Sequence, residues 1–242
     1  MVIVALTALG VGASTFIGAL IGLFFKKLAH KFSDIVLAFA SGVMLSAAVI
    51  GLILPSLEHG VDLGIGYYSI LVTILGIFAG AGCLTLVDRF VPHEHQMLCE
   101  KGELDKEKHC GNDKVSKVML FVLAIAIHNF PEGLAAGVGF GVGDTAQGLI
   151  IAGGIALQNV PEGLVIIAPM LTIGLSKKKT LLYAGLTGVV EIVGTFIGYF
   201  AISISTVILP FMLAFAGGTM LYVISDEMIP ETHAHGSQRG AT

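Results

Sequence analysis

Residues 118–141 read VMLFVLAIAIHNFPEGLAAGVGFG. The run is long enough to cross a bilayer as a helix, which takes about 20 apolar residues. Yet its middle holds His128, Asn129, Pro131 and Glu132. The pattern returns 30 residues later as Gln158-Asn159-Val160-Pro161-Glu162-Gly163, inside the apolar run 147–173. Asn, Pro, Glu and Gly match between the two copies, so the chain carries an internal repeat in adjacent, antiparallel helices. Each copy lies about ten residues into its run, near mid-membrane.

Outward from this pair the rest of the chain is equally apolar. Of 242 residues 55% are hydrophobic and 12% are charged, with mean hydropathy +0.90. A soluble domain is about 25% charged. The 32 glycines suit a membrane bundle, where small residues let backbones approach closely. Five further runs have spanning length, at 2–25, 34–57, 65–88, 181–204 and 207–229. None alternates as a strand of a membrane barrel does, and open sheet leaves backbone groups without partners in lipid. The expected fold is all-α, a single polytopic transmembrane helix bundle over 1–242 with seven spans. The first run has no basic residue before it and Lys26 and Lys27 after it, so it reads as a span and not as a secretory signal. A net charge of −4 with no basic patch excludes nucleic acid as a partner. Three cysteines make no disulfide framework.

The loops set the orientation. Lys26, Lys27 and Lys31 follow the first span. Arg89, Lys101, Lys106, Lys108, Lys114 and Lys117 follow the third, Lys177, Lys178 and Lys179 the fifth, and Arg239 the seventh. All 13 basic residues thus fall on one side, while Glu58, Asp62 and Asp144 fall on the other. The basic side is cytoplasmic by the positive-inside rule, which puts the N-terminus outside. The long loop 92–117 carries His93, His95, Cys99, His109 and Cys110. Its spacing matches no standard zinc module, and it reads as a charged cytoplasmic loop with loose metal-binding capacity.

A carboxylate at bilayer centre costs about 2.5–3.5 kcal/mol on insertion scales. Glu132, Glu162 and Glu191 all lie at that depth, and a bound cation would offset the cost. His128 and Glu132 are four apart and share a helix face; Gln158 and Glu162 repeat the geometry. Asn129 and Asn159 lie about 100° round the helix, beside the same cleft. Pro131 and Pro161 cannot donate to the carbonyls of Ile127 and Leu157, which opens each helix and exposes backbone oxygens. Gly133 and Gly163 then allow a neighbouring helix to approach. Imidazole and carboxylate suit Zn²⁺, Fe²⁺ and Mn²⁺, and amide oxygens are weaker ligands that favour release. Met44, mid-way through the second span, offers a soft thioether, although a membrane methionine is more often packing. Asp226, Glu227, Glu231 and His233 end the seventh span on the cytoplasmic side. They read equally as a metal exit or as a solvated helix end.

The doubled motif, HNFPEG followed by a second NxPEG, resembles the ZIP family of divalent metal transporters, closest to its GufA-like prokaryotic members. The span layout, the His-bearing loop and Ser225 to His233 extend the resemblance over essentially the whole chain. It implies a binuclear site between the fourth and fifth spans. One metal would be held by Met44, His128, Glu132, Gln158 and Glu162. The second would be held by Asn129, Glu132, Asn159, Glu162 and Glu191, with Glu132 and Glu162 bridging. It also implies metal uptake toward the cytoplasm through the cell membrane, by an elevator-like movement of a bundle carrying the fourth and fifth spans. Zn²⁺ is the expected substrate, with Fe²⁺, Mn²⁺ and Cd²⁺ as further ones. No organic cofactor is called for, and small-residue spacings such as Gly18/Gly22, Gly76/Gly80 and Gly194/Gly198 would serve contacts within one subunit or in a homodimer. Two departures stand out. Gln158 replaces the His found in many members and Asn159 the Asp found in some, which should loosen the site. The family has eight spans and seven are counted here, which gives the expectation of a missing eighth helix. The rival readings are an intramembrane metal-dependent hydrolase and a metal-gated channel. The first lacks an HExxH motif, and His128 is the only histidine inside a span; the second uses the same residues.

Overall fold

Apolar runs with small residues at their contact points become packed helices here, and the positions of those small residues decide which helices pair. The computed structural model describes residues 1–24, 30–90, 126–140, 145–172, 175–204 and 206–233, and among them every regular element is helical. In chain order these are α1 (Val2–Gly22), α2 (His30–Ser46), a π-helical stretch (Ala47–Ile53), α3 (Leu54–Asp62), α4 (Tyr68–Phe90) and α5 (126–139). There follow α6 (Thr145–Val165), α7 (Ile167–Thr172), α8 (Lys177–Ile204), α9 (Leu209–Val223), a second π-helical stretch (Ile224–Met228) and α10 (Ile229–His233). Six helical segments among the described residues are long and apolar enough to span a membrane: Val2–Gly22, Asp34–Asp62, Tyr68–Val87, Thr145–Val165, Lys177–Ile202 and Leu209–Met228. The helix bearing the first motif is described only from residue 126. The loop 92–117 and its metal-binding expectation lie outside the described residues.

Prolines explain where the helices depart from the sequence reading. Pro131 and Pro161 sit inside helices that continue through them. The run 147–173, expected as one span, breaks at Ile166, because Pro169 has no N–H to give the carbonyl of Val165. Pro55 and Pro230 likewise deny the carbonyls of Gly51 and Asp226 an N–H four residues on, and each of these lies within a π-wound stretch, where the bonds run five residues on. The wider turn re-aims the side chains it carries, Glu227 among them.

The helices fall into two groups. In the first, α1 packs on α6 and α8, and α5 packs on α8. A methyl on Gly18 would lie 2.1 Å from the carbonyl oxygen of Val160, and one on Gly198 would lie 2.4 Å from that of Leu134. In the second, α4 packs on α9, where a methyl on Gly80 would lie 2.1 Å from the carbonyl oxygen of Phe215, and α3 lies beside both. Ser56 of α3 ties that group together, 2.8 Å from Thr73 Oγ1 and donating at 2.7 Å to the carbonyl of Pro210. All three of the glycine spacings singled out in the sequence are therefore used between helices of the same chain. Between the groups, Ala40, Met44, Ala48 and Leu52 of α2 and its π stretch join Ala135, Ala136, Ile151, Ala152 and Ile155 of α5 and α6 in one apolar cluster. Five of these nine are alanine, while Met44, Leu52, Ile151 and Ile155 are among the largest fully buried side chains. The outward faces are large and apolar, as at Leu71, Phe78 and Ile150, which suits contact with lipid.

Candidate metal centre

Glu191 is the fifteenth residue of the 28 in α8, half-way along the helix, and is fully buried. Three other helices reach it. Thr15 Oγ1 of α1 donates to Oε1 at 2.8 Å. Asn129 Nδ2 of α5 donates to the same oxygen. Asn159 Nδ2 of α6 donates to Oε2 at 2.7 Å. One carboxylate thus gathers all four long helices of the first group. Beside it, Gln158 Nε2 donates to Glu132 Oε1 at 2.7 Å.

Packing holds this cluster in register. A methyl on Gly133 would lie 2.1 Å from the carbonyl oxygen of Glu191, and one on Gly163 would lie 2.1 Å from that of Thr15. The glycine closing each motif rests on the backbone of a residue whose side chain enters the cluster. Glycine is required at both positions because any Cβ would push the partner backbone away.

The chemistry of the cluster is set by oxygens left over. Glu132 Oε2, Gln158 Oε1 and Asn159 Oδ1 are buried and have no hydrogen-bond partner. Each is an acceptor with lone pairs and no proton of its own when the acid is ionised. The carboxylates also act on one another electrostatically: Glu132 on Glu162 and Glu191, and Glu162 on His128 and Glu227. Three carboxylates at membrane depth, Glu132 and Glu191 fully buried and Glu162 half-buried, cost roughly 7.5–10.5 kcal/mol on insertion scales. Interhelical hydrogen bonds average about 0.6 kcal/mol, so the four bonds to Glu132 and Glu191 recover only a fraction. A divalent cation near these oxygens would close the gap. Among the described residues no three His, Cys, Asp or Glu side chains form a ready cage for an ion. The donors on offer are mixed carboxylate and amide, and their amide groups must turn to close on one.

The residues expected from the sequence divide accordingly. Asn129, Glu132, Gln158, Asn159 and Glu191 meet in one buried cluster. Glu162 is half-buried beside them, on the side facing His128. His128 points to the second group, with Nε2 2.7 Å from Glu227 Oε1. Met44 is fully buried in the apolar seam and takes no part in the hydrogen-bonded cluster. Asp226 is exposed and His233 half-buried, and neither joins the cluster; the side chain of Glu231 lies outside the described residues. Thr15 is the residue that sequence reading missed. Its signal is faint but present: it falls on the small-residue stripe Gly12, Thr15, Ala19, Gly22, the face of α1 turned inward.

The sequence profile described as ZIP Zinc transporter matches residues 90–241. The zinc transporter GufA of Myxococcus xanthus is 39% identical over 235 residues, covering 96% of this chain and 89% of that protein. The zinc transporter ZIPB of Bordetella bronchiseptica is 37% identical, covering 95% of this chain and 72% of that one. A zinc transporter ZupT, of Chlorobium chlorochromatii, is 36% identical, with 95% and 87% covered.

Proposed function

Because this chain belongs to the ZIP zinc transporter family, we propose that it carries zinc and similar divalent ions across a membrane through the cluster around Glu132. The observation that supports this most strongly is the set of buried oxygens without donors, Glu132 Oε2, Gln158 Oε1 and Asn159 Oδ1, all three within the two copies of the motif. A desolvated divalent cation coordinates lone pairs of this kind, and the carboxylate among them supplies opposing charge. The ion is substrate here, and the amide ligands keep its hold weak enough for release.

The finer assignments go with that reading. A first ion would take His128, Glu132, Gln158 and Glu162, with Met44 approaching from α2. A second would take Asn129, Asn159 and Glu191, with Glu132 and Glu162 shared. The exclusive service of Glu191 to Thr15, Asn129 and Asn159 makes the second position the harder to fill. The chain spans the cell membrane seven times, with the N-terminus outside and the basic loops in the cytoplasm, and zinc moves inward. The division into two helix groups that meet across an apolar seam supports movement of α1, α5, α6 and α8 as a body, the elevator-like mode. A homodimer would use faces other than the three glycine spacings, which are occupied within the chain.

Metal choice tests the assignment of His128. Imidazole contributes more to zinc than to manganese binding. His128→Ala should therefore weaken zinc by about tenfold or more while manganese changes by a factor of about two or three. Competition titration of the purified protein with each ion measures both. Equal losses would remove His128 from the ligand set.

A further inference from the structure

The contact between His128 and Glu227 serves no purpose in a site built only from the first helix group. The geometry points to a ligand exchange: Glu227 competes with the transported ion for Nε2 of His128, and so acts as the residue that takes the imidazole off the metal. This rests on the reading of His128 as a ligand.

Nε2 of His128 lies 2.7 Å from Glu227 Oε1. One ring nitrogen either carries a proton toward a carboxylate or gives its lone pair to a metal; it cannot do both. The exchange balances without any outside reagent. With the ion on Nε2 the ring proton is on Nδ1. When the nitrogen–metal bond breaks, water relays that proton to Nε2, which then donates to Glu227, and the imidazole stays neutral throughout.

The placement of the two residues gives the exchange its direction. His128 belongs to α5, and the hydrogen bonds within the cluster stay inside the first group. Glu227 belongs to the π stretch that continues α9, in the second group. The bridge therefore forms only when the two groups stand in this relative position. Its partners are also wetter than the cluster: side-chain exposure is 17% at His128 and 28% at Glu227, against none at Glu132. Glu162, half-buried, interacts electrostatically with both. The carboxylate thus stands between the dry ligands and water, on the side where the charge pattern puts the cytoplasm. The wide turn imposed upstream of Pro230 is what carries Glu227 there, and π-bulges recur at functional sites.

A charge-assisted hydrogen bond that metal must displace weakens the metal by roughly tenfold or more. The test measures zinc affinity by chelator competition on the full chain in detergent, and zinc uptake into liposomes, for wild type, Glu227→Ala and Glu227→Gln. Glu227→Ala is expected to bind zinc about tenfold tighter and to lower KM and kcat together, with Glu227→Gln between it and wild type. In a His128→Ala background the Glu227→Ala change should have no further effect. Weaker zinc binding by Glu227→Ala, or the same shift without His128, would overturn the exchange. A wild type that binds no zinc would instead overturn the underlying reading of the site.

Discussion

Glu132→Gln is expected to leave a folded protein that has lost at least about 100-fold in zinc affinity, or ~3 kcal/mol. The side chain is fully buried, and its Oε1 accepts from Gln158. The amide oxygen can take over that hydrogen bond, so α5 and α6 stay joined. What disappears is the negative charge and the free Oε2 that faces no donor. Replacing a costly buried charge by a neutral group should not lower the melting temperature in metal-free buffer, and a modest rise is reasonable. Glu162→Gln should follow the same pattern, and the two changes together should bind no zinc in the micromolar range. Equilibrium dialysis and a thermal melt of the same samples separate lost binding from lost folding. Retained affinity in either single variant would remove that carboxylate from the site.

The second large effect lies in the packing. Gly163→Ala places a methyl 2.1 Å from the backbone oxygen of Thr15, where no flexible side chain can yield. Helix α1 must then shift from α6, at a cost of about 1–3 kcal/mol. For a chain of this size that lowers the melting temperature by roughly 5 °C. The shift also withdraws the Thr15 hydroxyl from Glu191, so zinc binding should weaken with stability. Gly153→Ala on the same helix is the matched control. Nothing lies within 4 Å of a methyl there, and its effect should stay within about 0.5 kcal/mol of neutral. Equal destabilisation by the two variants would mean that the α1–α6 crossing does not depend on glycine at Gly163.

Much of this arrangement is legible in the residues themselves. Apolar run length identifies the spanning helices because a bilayer imposes both length and helicity. The repeated motif identifies the cluster because carboxylates at that depth have no inexpensive alternative. Glu191 is legible for the same reason. Thr15 is not, because a hydroxyl in an apolar helix bonds its own backbone as readily as a distant carboxylate; Thr187, Thr195 and Thr219 do so here. The partner of His128 is hidden for another reason. Residues 128 and 227 are 99 apart in sequence and on different helix groups, and the aim of Glu227 depends on a π turn that helical periodicity misplaces. Met44 shows the limit from the other side, since spacing along α2 places it at the seam without saying whether its sulfur faces the polar cluster.

The most direct measurement is zinc uptake into proteoliposomes, comparing this chain with Glu132→Ala/Glu162→Ala at matched protein content. Saturable uptake by the parent chain that falls to the level of empty liposomes in the double variant is the predicted result. Equal uptake by both would show that zinc crosses by a route other than the paired motifs and would contradict the account.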